Sequence, residues 1–409
     1  MDPVGSSRVL DMPVEQLLEA VLREAGAVEV ARVGLAEARG GPRERLLATD
    51  DLWVTPWLAR AFVKAARKAA RPAILALPEG LYTEFTEALQ DLGRGSGEGV
   101  GGHLRYPLVW LPAGSSWSSA EDLVRAEGLE PVVIEQGVSP LKIPMHKAIL
   151  ASEELALPLT HLSAMRINHW MHIVRANQIA LLSWGASLVK VHPLRVLWAA
   201  VRAMSLNKWR VMGKLGSRGR GCDIHPSAVV EASTLGDGVR VGANAVVRFS
   251  HLGDGVSISD QCNIQYSVLG QGASVARMGM LQGCVMYPGS NSGHYGLQLC
   301  VVGRGTFVGG EVVLGDFKPQ GEVMVSHRGA LVSSGTNMIG CAVGHDCQIL
   351  MRATAYPGRE VPNGYWILGS PHDILAKIPT SLPLGEPLIS DEGVLRPYAE
   401  VMSERKGRG

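Results

Sequence analysis

Several features are missing from this chain of 409 residues, and each absence removes a class of function. No two of its six cysteines (Cys222, Cys262, Cys284, Cys300, Cys341, Cys347) are spaced Cys-x-x-Cys. No zinc-site pattern results, no metal is expected, and reduced thiols in a cytoplasmic setting are the simplest reading. An excess of charge is missing too: 39 Lys and Arg stand against 38 Asp and Glu, a net charge of +1, which argues against a nucleic-acid-binding polycation. The longest uncharged apolar-leaning run, 176–189, has 14 residues, short of the roughly 20 that span a bilayer. The first residues carry acids and no apolar stretch, so no secretory signal is expected. The 49 glycines follow no collagen period and form no low-complexity tract.

What is present divides into four parts. Residues 1–155 alternate helical and strand-like patterns and predict an α/β domain. Its expected helices cover Val14–Glu24 and Pro56–Ala70. Its expected strands cover Val28–Val33, Leu46–Ala48, Ala73–Leu77, Leu108–Leu111 and Pro131–Ile134, with a glycine-rich loop at Gly93–Gly102. Residues 156–221 read as a basic helical linker: between Leu155 and Cys222 there are ten Lys or Arg and no Asp or Glu. Pro193 suits a first helical turn, and Leu194, Leu197, Val201 and Met204 form one apolar stripe beside Arg195 and Arg202. Residues 222–374 carry the repeat described next, and 375–409 form a Pro-containing tail.

Val230, Val247, Ile264 and Leu281 are each 17 apart, as are Leu235, Leu252 and Leu269, and Val241, Ile258 and Val275. Steps of 5, 6 and 6 place three inward aliphatic side chains on each turn of a triangular coil, with Gly and Asp at the corners. Stacked coils bury a continuous aliphatic column, and a propeller would need a period of about 40 or more. The fold class predicted is therefore an α/β N-terminal domain, a helical linker and an all-β left-handed parallel β-helix. Two excursions are expected to leave the register, at 287–301 and 315–338. The second has a hairpin pattern over Glu322–Val325 and Ala330–Val332, turning at Ser326–Gly329.

The segment Ile224-His225-Pro226-Ser227-Ala228-Val229 resembles the opening hexapeptide of the trimeric hexapeptide-repeat acyltransferase superfamily. Val361-Pro362-Asn363-Gly364 with Gly369-Ser370-Pro371 is similar to that family's last coil. The N-terminal part resembles the nucleotidyltransferase domain of sugar-phosphate enzymes fused to such β-helices. Met12–Leu18 looks like its first helix, Thr49-Asp50-Asp51 like its strand-closing aspartate, and His169–Asn177 like the helix joining the two domains. The glycine-rich nucleotide loop of that family is absent before Met12, so the domain is read as degenerate, without backbone amides to cradle a triphosphate.

The resemblance implies a homotrimer, an acyl-coenzyme A or acyl carrier protein donor lying between subunits, and a histidine general base. His294, in Asn291-Ser292-Gly293-His294, and His345, beside Asp346, are the expected catalytic candidates. Asn291, His327 and Arg328 are the expected substrate-binding candidates, with His327 and Arg328 suited to an anionic acceptor. The two excursions are expected to border one cleft. His251, in a regular coil, is expected to be a surface residue. Cys341 and Cys347, six apart, are expected to stack on one face as small apolar groups.

Two readings of function follow. One is an acyltransferase acting on a sugar, sugar-nucleotide or lipid acceptor. The other is a catalytically silent β-helix scaffold, or sugar-nucleotide-binding protein, with a degenerate nucleotidyltransferase domain. The basic segment has three readings: a neck packed on the β-helix or a neighbouring chain, a peripheral contact with the inner face of the membrane, or a nucleic-acid contact. The neutral remainder of the chain argues against the third.

Overall fold

A computed structural model describes residues 4–34, 39–97, 100–118, 122–150, 152–293, 296–350, 352–370, 379, 381–383 and 385–406. The N-terminal domain contains helices α1 (Val14–Glu24), α2 (Pro56–Ala69) and α3 (Leu81–Thr86). In α1 the spacing of Val14, Leu18, Val21 and Leu22 puts all four side chains in the core. Helix α2 starts with Pro56 after an extended Thr55 and stops where Ala70 turns left-handed. The main sheet is ordered 45–48, 100–111, 73–78, 130–133. The long Val100–Leu111 strand runs antiparallel to each of its neighbours, and only 73–78 and 130–133 are parallel.

Two expectations for this domain fail. Val28–Val33 forms no strand, and Val28 is 95% exposed, because no layer lies over it to reward pairing. The glycine-rich segment 93–102 is not an open loop: Gly93–Gly97 pairs with the strand that begins at Val100. A Cβ at Gly95 would strike the His103 ring, so the glycines here permit close strand approach. Residues past 155 also belong to this domain, since Glu154–Leu159 pairs with Ser139–Pro144, and Ala164–Arg166 with Leu52–Val54.

Helix α4 (Trp170–Lys190) joins the two halves. Ala176, Ile179, Ala180 and Leu182 pack into the N-terminal core, while Met171 and Val174 pack against Val285, Tyr287, Leu299 and Val301 of the repeat. Helices α5 (Pro193–Ala203) and α6 (Lys208–Met212) lead on to the coils.

The repeat region is a parallel β-solenoid. Two faces have eight strands each, beginning at Ser217–Arg218 and Asp223–Ile224. The third face has five strands from Val229–Glu231 to Gly296–Gln298, and Val313–Leu314 and Thr354–Ala355 form a further pair. Val230, Val247, Ile264 and Leu281 pair in register, as do Leu235, Leu252 and Leu269 on the first face and Val241, Ile258 and Val275 on the second. Corners need left-handed backbone. Gly238, Gly255 and Gly272 supply it at one corner with φ of 67° each, while Asn244, Gln261 and Met278 hold φ of 56–63° at the next.

The excursion expected at 287–301 is instead a coil shortened to 16 residues. Met280–Gln282 pairs with Gly296–Gln298, and Val285–Met286 with Val301–Val302. Sequence periodicity failed there because one residue is missing and the buried Ser292 takes an aliphatic place in the second-face column. The second excursion is real. Val301–Val302 pairs next with Ala342–Val343, and the intervening chain includes a hairpin of Met324–His327 and Ala330–Ser333. Arg328 and Gly329, with φ of 51° and 82°, make its two-residue turn. Cys341 and Cys347 do not share a face, because six residues separate strands of successive faces. Cys341 instead stacks on Cys300, whose Sγ accepts from the Cys341 amide at 3.4 Å. After the coils, Leu388–Asp391 and Val394–Pro397 form a hairpin followed by helix α7 (Tyr398–Lys406).

Candidate functional site

The first solenoid face is covered by its own chain: Val268, Val285 and Val301 point outward from it and are buried, with α4 lying over the latter two. The other two faces carry exposed apolar groups, Phe307 and Trp366 on the second, Val229, Met280 and Val313 on the third. Asn291 lies on the second face, where its Nδ2 donates to Ser274 Oγ at 2.6 Å. His294 lies outside the described residues.

His345 sits at the corner between the first and second faces, two coils beyond Asn291. Its place is explained by a ladder in which a corner side chain accepts the amide of the coil below. Asp237 accepts from the Arg220 amide and Asp254 from the Asp237 amide, both at 2.7 Å. His345 Nδ1 accepts from the Arg304 amide at 2.8 Å, and Asn363 from the His345 amide at 2.8 Å. With Nδ1 accepting a backbone amide, a neutral ring carries its hydrogen on Nε2, which is then a hydrogen-bond donor. The ring also lies 5.4 Å from that of Tyr287.

The ladder has one foreign rung. The corner after Gln271 is Pro288, which has no polar side chain, and the Gln271 amide is taken at 2.9 Å by Asp11 of the N-terminal domain. Asp11 is held by Arg8 at 3.0 Å, and the Arg8 amide donates to the Tyr287 hydroxyl at 3.1 Å.

His327 and Arg328 are not with Asn291 and His345. They lie on the side of the covered face, against the N-terminal domain: Arg328 pairs with Asp91, and the His327 ring is 5.6 Å from that of His169. The hairpin meets the 287–300 segment through a packed apolar cluster that includes Tyr287 and Leu299. Its apolar side, Val323, Val325 and Val332, packs into the cluster that holds Tyr287 and α4.

The sequence reading missed His169 and Glu360 as the braces of this junction. His169 caps α4, accepting from the Met171 amide at 3.3 Å on Nδ1, and its Nε2 lies 2.9 Å from the Ser326 carbonyl and 3.7 Å from Glu360. Trp170 Nε1 donates to the same Glu360 carboxylate at 2.9 Å. Desolvation lowers the His169 pKa, and burial drives that of His172 down to about 3. His172 is held neutral between the Asn168 amide at 3.3 Å and the Ala88 carbonyl at 2.8 Å. Partners separated by such sequence distances leave no spacing signal. His251 is less exposed than expected of a surface residue: its Nδ1 is 2.6 Å from Thr234 Oγ1, and desolvation lowers its pKa.

In the N-terminal domain Asp51 is not a free ligand. Arg166 Nε reaches it at 2.9 Å and Thr49 also bonds to it, while the same arginine bonds Asp122 at 3.1 Å. Among the described residues no group of three or more His, Cys, Asp or Glu could hold a metal ion.

The basic segment also departs from one expectation. The stripe on α5 does not pack on the solenoid: Leu194 is 76% exposed and Met204 91%, and Ala199 is the buried residue of that helix. The small Ala199 is buried, while the large Leu194, Leu197, Trp198 and Val201 are exposed.

Comparison with known proteins found no matching family and no matching curated protein. Similar solved structures include a candidate acetyltransferase from Bacillus cereus, 12% identical, covering 38% of this chain and 78% of that one, with a TM-score of 0.16. They also include a histidine-to-alanine mutant of GDP-perosamine N-acetyltransferase from Caulobacter crescentus in complex with coenzyme A and GDP-perosamine. It is 17% identical and covers 38% of this chain and 54% of that one, with a TM-score of 0.14.

Proposed function

We propose that this protein is a homotrimeric acyltransferase that moves an acyl group from coenzyme A or an acyl carrier protein to a sugar, sugar-nucleotide or lipid acceptor. The observation that supports it is the division of the solenoid surface. One face is covered over Val285 and Val301 by the chain's own α4, and the other two carry exposed apolar side chains suited to neighbouring chains in a threefold ring. A groove between two such chains would run along the coils, where Asn291 borders the second face. In this reading His294 is the general base that removes the acceptor proton as the acyl carbonyl is attacked. His345, with Nδ1 already occupied, donates from Nε2 or holds its corner. His327 and Arg328 are reassigned to bracing the hairpin, since their partners are His169 and Asp91.

The test combines light scattering with an acyl-transfer assay over amino-sugar and lipid acceptors. A trimer is expected, with His294→Ala losing on the order of 100-fold in turnover and His345→Gln retaining most of it. A stable monomer, or a trimer that binds no acyl thioester, overturns the proposal in favour of a silent scaffold.

A further inference from the structure

From the outward stripe of α5 we infer that this helix lies in the plane of an anionic phospholipid surface. Leu194, Leu197, Trp198 and Val201 follow helical i, i+3, i+4, i+7 spacing and are 76%, 62%, 62% and 56% exposed. Stripes of this kind normally face a core. Here they face away from one, and Met204 and Leu206 extend the patch at 91% and 94% exposure. A shallow hollow lined by Val189, Pro193, Val196, Leu197 and Ala200 opens beside it, with walls almost wholly apolar.

The charge around the patch selects the partner. From Lys190 to Arg220 the chain has eight Lys or Arg and no Asp or Glu. Arg195 and Arg202 are exposed, seven residues apart on one flank of the stripe, next to Trp198. That is the arrangement of an interfacial helix: an apolar stripe sinks below the headgroups, a tryptophan sits at their level, and arginines reach up to phosphates. The helix has 11 residues, about 16 Å long, and no described helix is long and apolar enough to cross a membrane, so the contact lies along the surface. A second copy packed face to face on the same patch would set cations against cations, with no acid in the segment to neutralise them. Nucleic acid would leave the leucines and Trp198 unburied.

The inference is independent of acyl transfer and is tested without it. The full chain is sedimented with vesicles of phosphatidylcholine alone and of phosphatidylcholine mixed with phosphatidylglycerol, at low and high salt. Binding to the mixed vesicles, released by salt, is expected. Arg195→Gln and Arg202→Gln should each weaken it roughly fivefold. The double variant Leu197→Ser/Trp198→Ser should weaken it tenfold or more, with an unchanged melting temperature because both side chains are exposed. Absence of binding to mixed vesicles, or binding indifferent to phosphatidylglycerol and to these substitutions, overturns the inference. So does a change of oligomeric state in the double variant without vesicle binding, which assigns the stripe to a second copy.

Discussion

His172 illustrates how burial fixes a protonation state. Its side chain has no exposed surface, its Nδ1 accepts an amide and its Nε2 donates to a carbonyl, so protonation would leave a buried charge facing a donor. Its folded pKa of about 3 lies below the ordinary 6.5. The stabilising effect is thus complete above pH 6.5 and is lost as pH falls from 6.5 toward 3, where the unfolded chain takes the proton first. At pH 5 the loss from this residue is about 2 kcal/mol. His161, His169 and His251 are shifted in the same direction, with desolvation the largest cause in each. Calorimetry between pH 5 and 8 should show the melting temperature falling on the acid side. His172→Gln should flatten that slope, and an unchanged slope would mean that His172 is solvated.

At the scale of the element, the solenoid is held by columns. Val247 has no exposed surface and stands between Val230 and Ile264 in register. An aspartate there would be a charge with no partner inside an aliphatic column, so Val247→Asp is expected to cost about 4 kcal/mol or more. Chemical denaturation with a wild-type midpoint would show that the column is not where the pairing puts it. The hairpin shows the complementary case. Its two-residue turn was readable from Ser326–Gly329, but its destination was not, because the side chains that receive it, Asp91 and His169, come from the other half of the molecule.

At the scale of the molecule, the two halves are joined by α4 and by the Asp11 rung. Pro288 leaves the corner ladder without an acceptor for the Gln271 amide, and the N-terminal turn supplies one. Asp11→Ala should therefore speed amide exchange at Gln271 and loosen docking of residues 8–13, at a cost of about 1 kcal/mol. Asp11→Asn, which keeps an accepting oxygen but loses the Arg8 ion pair, should recover part of the protection. Equal exchange in all three proteins would mean that the rung contributes nothing to docking.

The sequence determined what depends on local pattern. The 17-residue columns, helix α1 over Val14–Glu24, the Pro193 helix start and the hairpin after Leu314 all follow from side-chain periodicity or turn chemistry acting within a few residues. Its errors fell where pairing or packing overrides pattern. A single missing residue and an inward Ser292 hid the coil at 287–301, and a glycine-rich stretch became a strand because its neighbour needed room. Tertiary structure alone decided the environment of the candidate site. It engaged His345 Nδ1 with the Arg304 amide, took His327 and Arg328 to the N-terminal domain, and turned the α5 stripe outward. Each outcome depends on which distant surface arrives beside a residue, and the energy of that encounter is not encoded in the spacing of the residues themselves.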